Sequence, residues 1–214
     1  MTEALRIAIV GAESTGKTAL AQALAGRIAA LTGQRCAWVG EWLRTWCERE
    51  GRTPRPDEQH AIAEHQHWMI DAAAAQHDVV VCDTTALMTA VYSDYLFNDR
   101  SLAPYAIEQQ RRCHITLLTA LDIAWVPDGL QRDGPQVREP VDAMLRAALA
   151  RAGIGYSVVA GRGPARLAAA LQAVKHALAL PPAEDESAAN PRWQWVCERC
   201  GDVDCERHLL PRLD

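Results

Sequence analysis

No apolar run in the 214 residues approaches the ~20 needed to cross a bilayer, so a membrane-spanning helix is not expected. Basic charge is also in short supply. Lys and Arg total 22 against 27 Asp and Glu, giving a formal net charge of −5 and a pI of about 5.8. That balance argues against an extended nucleic-acid-binding surface, which is usually basic. No internal repeat is visible. The first apolar strand begins only four residues in, so no leader peptide is expected and a cytoplasmic location is. Phenylalanine occurs once, against seven tryptophans. Cysteine is unevenly placed. Cys36, Cys47, Cys82 and Cys113 are scattered and read as ordinary thiols of a reducing compartment. The remaining three crowd into the carboxyl-terminal end. With 49% hydrophobic and 23% charged residues, the composition supports one α/β domain with room for a small appendage.

The most informative stretch is Gly11-Ala12-Glu13-Ser14-Thr15-Gly16-Lys17-Thr18, a complete G-x-x-x-x-G-K-[ST] phosphate-binding loop. Leu5 to Val10 ahead of it reads as a buried strand. Ala19 to Ala25 behind it reads as a helix with Leu20 and Leu24 on one face. Gly11 and Gly16 let the backbone turn tightly so that its N–H groups point at phosphate oxygens, and the helix N-terminus adds its positive end. The cradle then comprises Gly11, Glu13, Ser14, Thr15, Gly16, Lys17, Thr18 and Ala19. Lys17 reaches the β- and γ-phosphates of ATP, and Thr18 offers its hydroxyl to Mg²⁺.

Strand and helix alternate after the loop, which predicts a parallel five-stranded sheet flanked by helices, a P-loop NTPase fold. Strands are expected at 35–40, 79–82, 115–118 and 156–159, besides the first. Helices are expected at 42–49, 57–76 with Asp57 as its cap, 85–95, 105–112, 141–152 and 165–180. Residues 122–140, rich in Pro, Gly and Arg, read as a loop or kinase-like lid. Three domains follow: a P-loop kinase or ATPase body over 1–180, an acidic Pro/Ala-rich linker over 181–191, and a tail over 192–214.

Ligands of such sheets lie at the carboxyl ends of the strands. Asp83 ends an apolar strand, as a Walker B carboxylate does. It is expected to hold Mg²⁺ or accept an acceptor proton, with a helix-capping role as the plain alternative. Glu41 ends the second strand, where a carboxylate can orient or deprotonate an acceptor hydroxyl; a solvated helix-start glutamate is the alternative. Arg132 and Arg138 lie on the lid segment, free to swing over the phosphates, and surface pairing with Asp133 and Glu139 is the competing reading. Trp38, Trp42, Trp46 and Trp125 fall near the ligand edge. Trp125 is the favoured stacking residue because it sits in the lid; Tyr92 and Tyr95 are possible pocket or core residues. His60, His67 and His77 on the long helix lack a tight metal spacing and read as surface residues. In the tail, Cys197, Cys200, Cys205 and His208 spell C-x₂-C-x₄-C-x₂-H, a tetrahedral set for a structural Zn²⁺. Twelve residues cannot build a core, so the metal would supply the folding energy.

Taken together, these stretches resemble the P-loop ATPase/kinase family typified by the ribosylnicotinamide kinase domain of the bacterial NAD regulator/biosynthesis protein. The matching pieces are the phosphate loop, Glu41-Trp42-Leu43-Arg44, Cys82-Asp83-Thr84-Thr85-Ala86-Leu87, and Asp122-Ile123-Ala124-Trp125-Val126-Pro127-Asp128-Gly129. The resemblance spans about residues 5–180. It implies ATP, Mg²⁺ and phosphorylation of nicotinamide riboside to the mononucleotide, with Glu41, Asp83, Tyr92, Trp125 and Asp128 near the acceptor. The family's glutamate motif usually continues Tyr-Ala-Arg, whereas here it reads Trp42-Leu43-Arg44. Its nucleotidyltransferase and DNA-binding regions have no counterpart in this stretch. Two alternatives stay open: a regulatory P-loop NTPase whose tail binds a protein partner, and a kinase of another nucleoside-like or antibiotic acceptor. A homo-oligomer is compatible with either.

Overall fold

The computed structural model describes residues 3–126 and 134–179, all within one compact unit of residues 1–180. Five parallel strands run β1 (Leu5–Val10), β2 (Cys36–Val39), β3 (Val79–Asp83), β4 (Ile115–Thr119) and β5 (Ser157–Val159), in spatial order β2-β3-β1-β4-β5. The three central strands are buried on both faces. That explains their near-continuous apolar sequences, with no alternation of polar and apolar residues.

Helices α1 (Lys17–Thr32), α2 (Trp42–Glu50), α3 (Gln59–Ala74), α4 (Ala86–Phe97), α5 (Ala103–Arg111), α6 (Arg138–Arg151) and α7 (Gly163–Val174) cover the sheet. Ile7, Ile9, Val79, Val81 and Leu117 pack under α1 and α7 on one face. Val10 and Leu118 pack under α4 and α6 on the other, and Val80 and Cys82 under α3. β1 leads through α1 to β2 on one side of itself, while β4 lies on its other side. The crevice at the strands' carboxyl ends therefore opens beside the phosphate loop.

Several expected boundaries shift for one physical reason. The helices expected from Tyr105, Val141 and Ala165 begin earlier, at Ala103, Arg138 and Gly163, and carry Pro104, Pro140 and Pro164 in their first turns. A first-turn N–H has no intrahelical acceptor, so proline is tolerated there. The lid segment is correspondingly shorter than 122–140, with a 3₁₀ turn at Pro135–Val137 ahead of α6. Asp57 does not cap the long helix either. It lies in a 3₁₀ turn, Pro56–Glu58, where the Glu58 carboxylate accepts from the Arg55 N–H at 2.8 Å. His67 is not a surface residue: its ring is largely buried and pairs with Asp71 at 2.9 Å. Burial, with Arg112 and Arg6 nearby, lowers its pKa although Asp71 pulls the other way. No helix among the described residues is long and apolar enough to cross a membrane.

Candidate active site

The phosphate loop leaves β1 at Gly11 and enters α1 at Gly16. Gly11 has φ +151°, and a Cβ there would lie 2.1 Å from Thr119 Oγ1. Gly16 caps α1 with φ +75°. No acidic residue occupies the first turn of α1, so its positive end is left to face an anion. Inside the loop Thr15 Oγ1 donates to Ala12 O at 2.8 Å and shares a 2.7 Å hydrogen bond with Thr119 Oγ1. Lys17 Nζ donates to the same Ala12 carbonyl at 2.9 Å.

A cavity of about 710 Å³ opens from Glu13 to Ala19 of this loop. That volume falls within the usual range for a small-molecule site. Its far walls come from α2 (Leu43, Arg44, Cys47, Glu48), from Glu41 at the α2 N-cap, from Thr53, Pro54 and Gln59, and from α4 (Met88, Tyr92, Leu96, Phe97). Glu41, Arg44 and Glu48 recur at helical spacing and so share the cavity face of α2. The 52–58 turn is pinned by Arg52, whose guanidinium forks onto Glu58 with both contacts at 2.7 Å. That pair, helped by the Arg55 N–H, holds the Glu58 pKa down at about 2.

Asp83 lies beneath the loop, 1% exposed. Neither carboxylate oxygen accepts a well-formed hydrogen bond. Burial raises its pKa above the ordinary value; the Thr18 hydroxyl, Lys17 and Arg44 pull in the opposite direction without overcoming it. Asp83 is not the helix cap. Thr85 fills that role, accepting from Leu87 N at 3.3 Å. An orphaned, buried carboxylate beside a hydroxyl is a donor set that fits Mg²⁺, a hard cation with oxygen ligands. Thr84 follows with φ +71°, an outlying conformation for a β-branched residue, and lines the cavity.

The lid segment begins after β4. Asp122 anchors it by accepting from the Gly161 N–H at 2.6 Å and from Arg166 at 2.9 Å. Ser14 and Val126 exchange two hydrogen bonds across the phosphate loop, at 3.3 and 2.9 Å. The Trp125 indole N–H donates to Glu13 Oε1 at 3.3 Å. Trp125 is therefore fastened to the phosphate loop and is not among the cavity-lining residues. Arg138 is 8% exposed in the first turn of α6 and donates to Ile123 O at 2.8 Å. It is not a freely swinging loop arginine. Asp128 and Arg132 lie outside the described residues, as do Cys197, Cys200, Cys205 and His208. No metal-holding cluster of His, Cys, Asp or Glu occurs among the described residues.

Glu13 to Ala19, Glu41 and Tyr92 of the expected site line one cavity, with Asp83 buried behind it. Arg44 and Glu48 were given no role beyond Arg44's place in the Glu41-Trp42-Leu43-Arg44 stretch, and Gln59 was not anticipated. The first two were legible as a polar face continuing the Glu41 register. Thr119, under the loop, was legible only as a hydroxyl ending an apolar strand.

Residues 6–166 match the family model described as an AAA domain. No curated protein matches the chain. Among solved structures, a NadR protein in complex with NAD and AMP-PNP superposes with a TM-score of 0.65 at 18% identity, over 84% of this chain and 51% of that one. A NadR protein in complex with NR gives 0.65 and 18%, over 83% and 52%. Thymidylate kinase from Ehrlichia chaffeensis gives 0.57 and 14%, over 82% and 100%. The chain spans about half the length of the NadR chains, and at these identities the likeness is one of fold, that of P-loop kinases.

Proposed function

The chain belongs to the AAA-domain family, and from that premise we propose that it is an ATP-dependent small-molecule kinase whose acceptor is nicotinamide riboside. One observation carries the reading. The cavity joins a complete phosphate loop to a wall that carries Glu41 and Glu48 around Arg44 and is apolar or aromatic at Leu43, Met88, Tyr92 and Phe97. Such a wall suits an acceptor that is uncharged or cationic, flat on one side and hydroxylated on the other. The NR named in one NadR complex is consistent with that class.

In this reading the loop N–H groups and Lys17 hold the phosphates, and Thr18 with Asp83 would hold Mg²⁺. The metal, when bound, offsets charge on the β- and γ-phosphate oxygens. Glu41 orients the acceptor hydroxyl and takes its proton as the new O–P bond forms. The bond from the γ-phosphorus to its bridging oxygen breaks, and ADP leaves with that electron pair. Arg132 would supply positive charge over the transfer, with Tyr92 and Asp128 beside the acceptor, whereas Arg138 holds the Ile123 carbonyl and Trp125 stays on the phosphate loop. With ATP as co-substrate, this reading places the protein in the cytoplasm.

The tail Cys197, Cys200, Cys205 and His208 would hold a structural Zn²⁺. Metal analysis of the purified chain should find zinc that disappears in a Cys197→Ser, Cys200→Ser variant; no zinc in the unaltered chain rejects this part. For the reaction, ADP release from Mg·ATP is measured with nicotinamide riboside, thymidine monophosphate or no acceptor. Stimulation by the riboside alone, lost in Lys17→Ala, is expected. Slow hydrolysis indifferent to acceptor, and changed by a protein partner, would support the regulatory NTPase instead.

A further inference from the structure

Strand β4 sends no side chain into the cavity, yet it is tied to the turn that carries Asp83. Thr116 Oγ1 accepts from Gln110 Nε2 at 2.9 Å, and Gln110 Oε1 accepts from Thr85 Oγ1 at 2.6 Å. All three side chains are buried, Gln110 completely. Capping α4 requires only that Thr85 Oγ1 accept from the Leu87 N–H. The Thr85 proton is committed in addition, to a glutamine on α5 twenty-five residues away. A fully buried amide is costly unless satisfied on both ends, and this one is satisfied by the two threonines.

The relay meets the chain at a strained place. Thr84, between Asp83 and Thr85, sits at φ +71°. A conformation of this kind persists only where its surroundings over-determine it. On one side of the turn the Thr84 N–H donates to Ile9 O at 3.0 Å. On the other, the Thr85 side chain is held by Gln110. The Asp83 carboxylate accepts no well-formed hydrogen bond and has only the Thr18 hydroxyl beside it, so its placement is set mainly by the backbone on which it rides.

We propose that Gln110 is a positioning residue for Asp83. Through Thr116–Gln110–Thr85 it clamps the 83–85 turn and keeps the carboxylate beside Thr18, in register for Mg²⁺. The proposal rests on the reading of Asp83 and Thr18 as the metal-holding pair. Outer partners of metal-binding groups typically contribute about 10–100-fold in metal affinity.

The test uses the full chain and titrates AMP-PNP by calorimetry, with Mg²⁺ and with EDTA, so it needs no acceptor. Asp83→Asn first establishes how much of the Mg²⁺ enhancement depends on the carboxylate. If Asp83→Asn keeps the full enhancement, the parent reading fails, whatever Gln110 does. If it loses it, Gln110→Met should lose about tenfold of the enhancement while its metal-free affinity stays within about twofold of the unaltered chain. Thr85→Ser, which keeps the hydroxyl, should retain the enhancement, and Thr85→Val should not. Where Gln110→Met fails to fold, Thr116→Val removes only the far end of the relay and decides in its place. A folded Gln110→Met or Thr116→Val protein with undiminished enhancement overturns the proposal. So does a variant that loses metal-free and Mg²⁺-dependent affinity together.

Discussion

Replacing Gly11 by alanine puts one methyl group where the fold has no room for it. The added Cβ would stand 2.1 Å from Thr119 Oγ1 and 3.3 Å from both the Thr119 Cβ and its carbonyl oxygen. Thr119 cannot simply turn away, because its hydroxyl shares a 2.7 Å hydrogen bond with Thr15 and contacts Val10 O at 3.3 Å. Relief requires breaking these contacts, at about 1 kcal/mol each. Alanine at φ +151° adds roughly 1–3 kcal/mol of backbone strain. The sum is about 3–5 kcal/mol, which for a body of this size lowers Tm by roughly 10 °C. Thr15 is also the residue that holds Ala12, so nucleotide affinity should fall with stability. Thermal unfolding and AMP-PNP calorimetry on Gly11→Ala measure both. Adding Thr119→Ala should recover part of the Tm but not the backbone strain. A Gly11→Ala protein that melts within about 2 °C of the unaltered chain, corresponding to under ~1 kcal/mol, would refute the reasoning.

Other perturbations separate the roles of the charged groups. Because burial raises the Asp83 pKa, the metal-free folded protein holds that proton more tightly than the unfolded chain does. The contribution favours folding below the ordinary value of 3.8 and is lost as pH rises through the folded pKa. Asp83→Asn should therefore leave the metal-free Tm at neutral pH unchanged or higher while abolishing Mg²⁺-dependent affinity; a lower Tm would show that the charge is compensated after all. Glu41→Gln should lower kcat by about 10²-fold with little change in the KM for ATP if Glu41 acts on the acceptor proton, whereas Glu48→Gln should raise the acceptor KM instead. Arg138→Met should lower Tm rather than kcat, because it removes the buried donor to the Ile123 carbonyl; an unchanged Tm on thermal unfolding would contradict that role.

The phosphate loop was legible because every requirement is local: an apolar run, two glycines, a lysine and a helix start within fourteen residues. The order of strands and helices followed from hydrophobic runs that the sheet buries on both faces. Helix starts were misplaced at Pro104, Pro140 and Pro164 because proline usually signals a break, and only a position in the first turn removes that penalty. The His67–Asp71 pair is an i,i+4 contact along α3, which spacing can suggest. No spacing reports that Asp71 also draws on Arg6 from β1 and Arg112 beyond α5. Arg44 and Glu48 continue the Glu41 register along α2, but only the cavity shows that this face turns inward. Thr119 and Gln110 touch no part of the cavity. Their roles exist only in contacts made across more than one element, with Thr15, Thr85 and Thr116.

The most direct test of the central claim is mass spectrometry of nicotinamide riboside after incubation with Mg·ATP and the purified chain. The account predicts a riboside carrying one added phosphoryl group, formed in step with ADP and absent with Lys17→Ala. Unmodified riboside, from a protein that still binds AMP-PNP, would contradict it.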